Sequence, residues 1–264
     1  MGRLEGKVAI VVGAGQTPGQ TIGNGRATAI RFAEEGATVM LVDRDEASAA
    51  ETLEMMRARG GEGSVYVADV TSEDECAALI GACVDRYGRI DVLHNNVGIG
   101  AGDRGATSIT EEAWDRIFST NMKAIMFTCK HAVPIMREQG SGVITNISSV
   151  AAVCAVGLTA YKASKAAVNA YTHSLATGNA RYGIRANVIM PGLMNTPMAI
   201  EGNVALGNDR EEVIARRDAQ VPLGAKMGSG WDIANAALFL ASDEAGFITG
   251  VCLPVDGGQA ARIG

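Results

Sequence analysis

Seven short apolar runs, separated by longer stretches of helical character, constrain this chain more than any other feature. They read VAIVV (8–12), TVMLV (38–42), VYVADV (65–70), IDVLHNN (90–96), GVITNIS (142–148), IRANVIM (184–190) and FITGVCLPV (247–255). Most lack a clean polar alternation, which suits strands covered on both faces. Between them, Arg26–Glu35 repeats Ala, Ile and Phe on one face, and 72–87 opens with Ser72 as a cap and Glu75 at the capping-box position. Strand and helix in alternation, joined by right-handed crossovers, predict a doubly wound, seven-stranded parallel sheet flanked by helices, an α/β fold. No repeat or linker divides the 264 residues, so one domain spanning 1–264 is expected. Pro191, Gly192, Pro197, Gly202, Gly207 and Pro222 break up the stretch 191–225, and a substrate lid is expected over about 193–225.

Composition narrows the partners. A net charge of −6 repels polyanions, so neither nucleic acid nor an anionic membrane surface is expected. No apolar run approaches a membrane span, and the chain passes almost directly from Met1 into its first strand, which predicts a cytoplasmic protein. The five cysteines are scattered without a C-x-x-C pair and read as reduced structural thiols, and His94, His131 and His173 form no ligand-spaced cluster, so no metal is expected.

After the first strand comes VVGAGQTPGQTIGNGRATA, in which Gly13, Gly15, Gly19, Gly23 and Gly25 let backbone approach a ligand before the next helix begins. A pyrophosphate suits such a helix start. Asp43 ends the second strand, where a carboxylate accepts both ribose hydroxyls of NAD and repels the extra phosphate of NADP. It equally reads as a turn or capping residue of the next helix, and Arg44 beside it offers a 2′-phosphate a partner, so NAD is the favoured nucleotide with NADP behind it. Asp69 and Val70 follow the third strand and either meet an adenine edge or make a simple strand-to-helix turn.

At 161–165 the chain reads YKASK, which puts Tyr161 and Lys165 on one face of a helix. A phenol near pKa 10 is a poor catalyst at neutral pH. A neighbouring ammonium and an oxidised nicotinamide both favour phenolate, and a drop of about three units needs about 4 kcal/mol of differential stabilisation. The ITNISS run brings Ser148 and Ser149 to the carboxyl edge of the fifth strand, one of them placed to hold a substrate oxygen. Asn121, within STNMKA, either anchors a water beside Lys165 or is a satisfied buried amide in a helix.

These pieces together resemble the short-chain dehydrogenase/reductase family, from Lys7 to about Gly258. The resemblance rests on the glycine-rich turn, Asp69-Val70, NNVG (95–98), Asn121, NISS, YKASK, PGLMNT (191–196) and VDGG (255–258), in order and at spacing. It implies a Rossmann fold with Tyr161 as general acid/base, Lys165 lowering its pKa and binding the nicotinamide ribose, Ser149 orienting the substrate oxygen and Asn121 completing a proton relay. It also implies Asn95 and Gly98 near the adenosine half of the cofactor. Pro191 and Gly192 would lie near the nicotinamide, with Met194 in the same cofactor-binding turn and Thr196 at the carboxamide or pyrophosphate. Assembly as a homotetramer, or a dimer, through the helices around 110–138 and 159–182 follows from the same resemblance.

Departures accompany it. The glycine turn is longer than the family's compact form by about six residues, so that QTPGQT is free to fold over the cofactor. Val12 and Val97 replace a threonine and an alanine, and Tyr161 follows Ser149 by one residue fewer than is usual. The longer loop is similar to that of enoyl-reductase relatives, but their wider Tyr-to-Lys spacing is absent. The activity implied is NAD-dependent interconversion of a secondary alcohol, a sugar or cyclic alcohol, with its ketone or lactone by direct hydride transfer. An NADPH-dependent 3-oxoacyl reductase and a dinucleotide-binding sensor without turnover are the competing readings. Arg104, Met194, Met198, Leu206 and Arg210 are candidates to line the substrate cleft.

Overall fold

Seven strands, all parallel, form one sheet in the order β3-β2-β1-β4-β5-β6-β7 in a computed structural model that describes residues 2–262. They are β1 (Val8–Val12), β2 (Thr38–Asp43), β3 (Glu62–Val67), β4 (Val92–Asn95), β5 (Gly142–Ile147), β6 (Ile184–Pro191) and β7 (Cys252–Val255). The helices are α1 (Asn24–Glu34), α2 (Glu46–Arg57), α3 (Glu73–Tyr87), α4 (Glu111–Phe118), α5 (Ala124–Gln139), α6 (Thr159–Asn179), α7 (Pro197–Ala205), α8 (Arg210–Asp218) and α9 (Gly230–Ala241). Met1, Ile263 and Gly264, included in the single domain expected over 1–264, lie outside the described residues.

The missing alternation in the strands has the cause the sequence suggested. Val8, Ile10 and Val12 of β1 pack into one apolar layer with α3, α5 and α6, while Ala9 and Val11 pack into the other with α1, α2 and α9. Both faces of the sheet are therefore dry, and the order reverses between β1 and β4, where their carboxyl ends leave a crevice.

Boundaries differ from expectation at two strands. β3 begins at Glu62 and stops at Val67, because Asp69 accepts the amide of Thr71 at 2.9 Å and turns the chain. The last strand is only Cys252–Val255, since Phe247 is fully exposed and Gly250, at φ +76°, turns the chain before it. Ser72 caps α3 as expected, but Glu75 sends its carboxylate to the amide of Asp69 at 2.7 Å, so the capping box is only half formed. The expected lid region carries α7 and α8. Among the described residues, no helix is long and apolar enough to cross a membrane, and the five cysteines carry free thiols.

Candidate active site

The glycine turn leaves β1 at Gly13, whose φ of +81° excludes most side chains, and a Cβ on Gly25 would stand 1.9 Å from the Gly13 carbonyl oxygen. Helix α1 thus begins pressed against the turn. Asp43 bridges the turn and the next helix, with one carboxylate oxygen accepting the amide of Gly15 at 2.9 Å and the other that of Asp45 at 3.1 Å. The cap of α2 is Asp45, not Asp43, and Asp43 remains partly exposed at the strand end.

After six intervening residues, 17–22, the chain returns from Gln16 to Gly23, and one side chain closes the expansion. Gln16 accepts the Gly23 amide at 2.7 Å and donates to the Thr21 carbonyl at 3.2 Å. Its own backbone is held at both ends by the Ser48 hydroxyl, at 2.8 and 3.0 Å. The buried Arg26 guanidinium ties this to α2 through Thr52 (2.9 Å), the Ser48 carbonyl (3.0 Å) and Glu51 (2.7 Å), while the Thr52 hydroxyl donates to the Ala14 carbonyl at 2.8 Å. The middle of the loop leans on the lid. A Cβ on Gly19 would lie 2.6 Å from a Glu201 carboxylate oxygen and 2.9 Å from Pro197, both in α7. Glu201 also binds Arg210 of α8 at 2.5 Å and the amide of Gln20, and these, the guanidinium foremost, hold its carboxyl below the usual range.

The nucleotide end has the chemistry of a dinucleotide cradle. Gly23, the N-cap of α1, brings no side chain to the helix start, which leaves the amides there to an anion. Asn24 and Asn195 each bury an amide oxygen that has no partner among the described residues, acceptors of the kind ribose hydroxyls or a carboxamide satisfy. Thr196, buried, is the N-cap of α7 without a side-chain bond of its own, and Gly192 lies between Pro191 and the Asp256–Gln259 segment that its Cβ would strike.

Three of the residues expected at the nucleotide have side chains engaged within the protein. The Asn95 side chain is not free for a cofactor: buried at the end of β4, it donates to Asn146 at 2.8 Å and accepts from Thr128 at 2.9 Å, closing a polar network inside the sheet. Its neighbour Asn96 instead reaches the Gly13 carbonyl at 3.2 Å. The Met194 side chain packs in the core against Gly228, leaving only its backbone to a ligand. The Val70 side chain is buried in the core, and one Asp69 carboxylate oxygen turns onto Thr71, whose amide and hydroxyl hold that carboxyl below its usual range.

The catalytic end is denser. Lys165 is buried, and its Nζ donates to the Ile147 carbonyl at 2.9 Å; a Cβ on Gly98 would stand 2.9 Å from that Nζ, so only glycine lets the strand end pass so near. Nζ lies 5.8 Å from the centre of the Tyr161 ring. Burial pulls the Lys165 ammonium down to about 8 and pushes the Tyr161 phenol up, the hydrogen bond from Ser149 opposing the latter. The lysine alone therefore does not make the phenol acidic. A second positive charge in the crevice would favour phenolate.

The two serines separate cleanly. Ser148 is buried and donates to the Lys165 carbonyl at 2.8 Å, fastening β5 to α6, whereas the partly exposed Ser149 accepts the Ala151 amide at 3.1 Å and reaches the Pro191 carbonyl at 3.5 Å, which leaves it the serine open to the crevice. Asn121 sits in a single π turn, Ser119–Lys123, between α4 and α5. Its oxygen accepts from Ile99 at 2.7 Å, and its nitrogen donates to the Ile99 carbonyl at 2.9 Å and to Ser164 at 3.1 Å. The side chain holds loop and helix together and keeps one lone pair of its oxygen for a further donor.

Gln16, Arg26, Asn96 and Asp103 were not anticipated. They act on main-chain groups distant in sequence, a relation no local spacing reveals. Of the two arginines considered for the cleft, Arg104 donates to the Asp103 carbonyl and Arg210 is paired with Glu201.

The family model described as enoyl-(acyl carrier protein) reductase matches residues 19–260. The chain is 39% identical over 262 residues to 2,5-dichloro-2,5-cyclohexadiene-1,4-diol dehydrogenase LinX of Sphingobium indicum, covering 99% of each chain. It is 37% identical to the 3-oxoacyl-[acyl-carrier-protein] reductase FabG of Thermotoga maritima, covering 97% of this chain and 98% of that one. A Burkholderia xenovorans crystal structure described as a short-chain dehydrogenase/reductase superposes with a TM-score of 0.96 at 42% identity, covering all of both chains.

Proposed function

Because the chain belongs to the short-chain dehydrogenase/reductase family of NAD(P)-dependent oxidoreductases, we propose that it oxidises an uncharged cyclic secondary alcohol to its ketone, with NAD as the nucleotide. The observation that carries this reading is the buried ammonium of Lys165, which stands 5.8 Å from the centre of the Tyr161 ring on the same helix, beside the strand end that delivers Ser149. A bound nicotinamide supplies the acceptor for the hydride leaving the carbinol carbon. Ser149 holds the substrate oxygen, and Tyr161 takes its proton. Lys165 stabilises the phenolate and holds the nicotinamide ribose. Asn121 keeps Ile99 and Ser164 together and anchors a relay water beside Lys165.

The nucleotide preference rests on Asp43. Its charge at the end of β2 disfavours a 2′-phosphate, although Arg44 beside it is the one feature that favours NADP. The substrate preference rests on the cleft's margins. Both candidate arginines are engaged by protein groups, while Val153 and Val156 of the loop after Ser149, and Met198 and Leu206 of the lid, expose apolar side chains. A cleft so bordered favours a ring over a polyol or an acid. The diol dehydrogenase relative acts, by its name, on such a ring. The same reading expects a homotetramer.

The test is fluorescence titration with NADH and NADPH, followed by NAD-dependent oxidation of cyclohexanol, cyclohexanediols, xylitol and gluconate. Tight NADH binding with turnover of ring alcohols is the expected result. Preference for NADPH with reduction of a 3-oxoacyl thioester would replace it by the reductase reading, and failure of both nucleotides to bind would overturn it.

A further inference from the structure

Helix α6 carries both Tyr161 and Lys165, yet it begins badly. Its N-cap residue is Leu158, which has no side-chain oxygen to offer, and the first amides of a helix have no intrahelical partner. They are satisfied from elsewhere in the chain. Asp103, in the loop after β4, is 3% exposed and turns its carboxylate onto the helix start. One oxygen accepts the amides of Thr159 and Ala160, each at 3.2 Å, and of its own neighbour Arg104 at 2.8 Å; the other accepts the amide of Tyr161 itself at 2.7 Å. A buried carboxylate with four amide donors at the positive end of a helix is strongly held without a cationic partner.

The loop delivering it is anchored from below. Asn121 grips Ile99, Arg116 of α4 donates to the Ala101 carbonyl at 2.8 Å, and the Asp103 amide closes a turn on the Gly100 carbonyl at 3.2 Å. Gly100 lies over the tyrosine, where a Cβ would be 3.4 Å from the ring. Helix α6 is thereby fixed at two points, Ser164 by Asn121 and residues 159–161 by Asp103.

We propose that Asp103 is a positioning residue for Tyr161: a cap supplied in trans by the 99–103 strap, which sets the height of the phenol over the crevice. This rests on the reading of Tyr161 as the acid/base. Displacement of a reacting group by about 1 Å is enough to lower turnover on the order of 100-fold, so a cap bonded to the backbone of the catalytic residue itself acts on rate more than on binding.

The test pairs Asp103→Asn with the double variant Asp103→Asn/Leu158→Ser, in which a serine at the exposed N-cap position supplies the missing cap from within the helix. Two readouts are taken: amide hydrogen exchange at 159–161, and cyclohexanol oxidation normalised to NADH-binding sites. For Asp103→Asn, the expected result is a loss of exchange protection of about tenfold or more at these amides and a fall in kcat of ~10- to 100-fold. KM and NADH affinity should stay within about threefold, because a moved phenol impairs chemistry more than binding. The double variant should recover both protection and kcat. Unchanged protection in Asp103→Asn, or recovered protection without recovered kcat, overturns the proposal. If the wild-type protein binds NADH but oxidises no alcohol, the functional reading fails, while the exchange experiment still decides whether Asp103 holds the backbone of Tyr161.

Discussion

The two ends of the crevice are built by different means. At the catalytic end, Tyr161, Lys165 and Ser164 project from one long helix, and the residues that meet them come from the end of β5 and from the π turn before α5, so the site is buried and bonded from several sides. At the nucleotide end, the Thr17–Ile22 loop meets α7 through the Glu201 carboxylate and is closed by the Gln16 side chain, while Ile22 and Ile200 seat the two segments on separate apolar layers. A helix carries two reacting groups at fixed separation, so that end tolerates little rearrangement. A loop latched to a lid has few contacts to lose, and that end is suited to opening for nucleotide exchange.

Removing the transferable proton is the largest test of the contrast. Tyr161→Phe should lower kcat by ~10³-fold while leaving NADH titration unchanged; near-wild-type turnover would show that the catalytic end is not where the chemistry lies. Lys165 tests the same end through stability. Its folded pKa of about 8 lies below the ordinary 10.5, so burial of the ammonium opposes folding below pH 8, and that penalty is relieved as pH rises from about 8 toward 10.5. Lys165→Met should therefore be more stable than wild type in urea at pH 7, with the gap narrowing by about 2 kcal/mol by pH 10. A gap independent of pH would mean that the folded lysine keeps its ordinary pKa, as a solvated ammonium does.

At the other end the effects should be smaller. Asp43→Ala should shift the NAD-over-NADP preference in kcat/KM by ~10-fold, and an unchanged ratio would reduce the carboxylate to its structural part, holding Gly15 and Asp45. Glu201→Gln keeps the shape of the latch and removes its charge. KM for NAD should rise about threefold, in keeping with the small worth of an ion pair still reached by solvent, with kcat unchanged. A loss in kcat as large as that of a catalytic-end variant would erase the distinction between the two regions.

The same contrast explains what could be read in advance. The dry strands, the helices between them, and the Tyr161–Lys165 face were legible because each depends on periodicity within one element. The choice between Ser148 and Ser149 was not, since adjacent residues leave a strand end in opposite directions and only the strand's register decides which meets α6. Asn95 misled for a related reason. At the end of β4 it points between strands, where Asn146 in register on β5 and Thr128 on α5 satisfy it, and the residue after it turns back to Gly13. Asp103 and Gln16 left no local trace, because a side chain that serves a distant backbone group answers to the fold and not to its neighbours in sequence.

The Gln16 bridge has a consequence for how such a chain can vary. Because the side chain reconnects Gly23 to the residue where the expansion starts, the start of α1 no longer depends on how many residues lie in between. Residues Thr17–Gln20 then form a modular insert, replaceable by shorter or longer segments at the small entropic cost of loop length, so that the grip on the lid is adjustable without rebuilding the phosphate end.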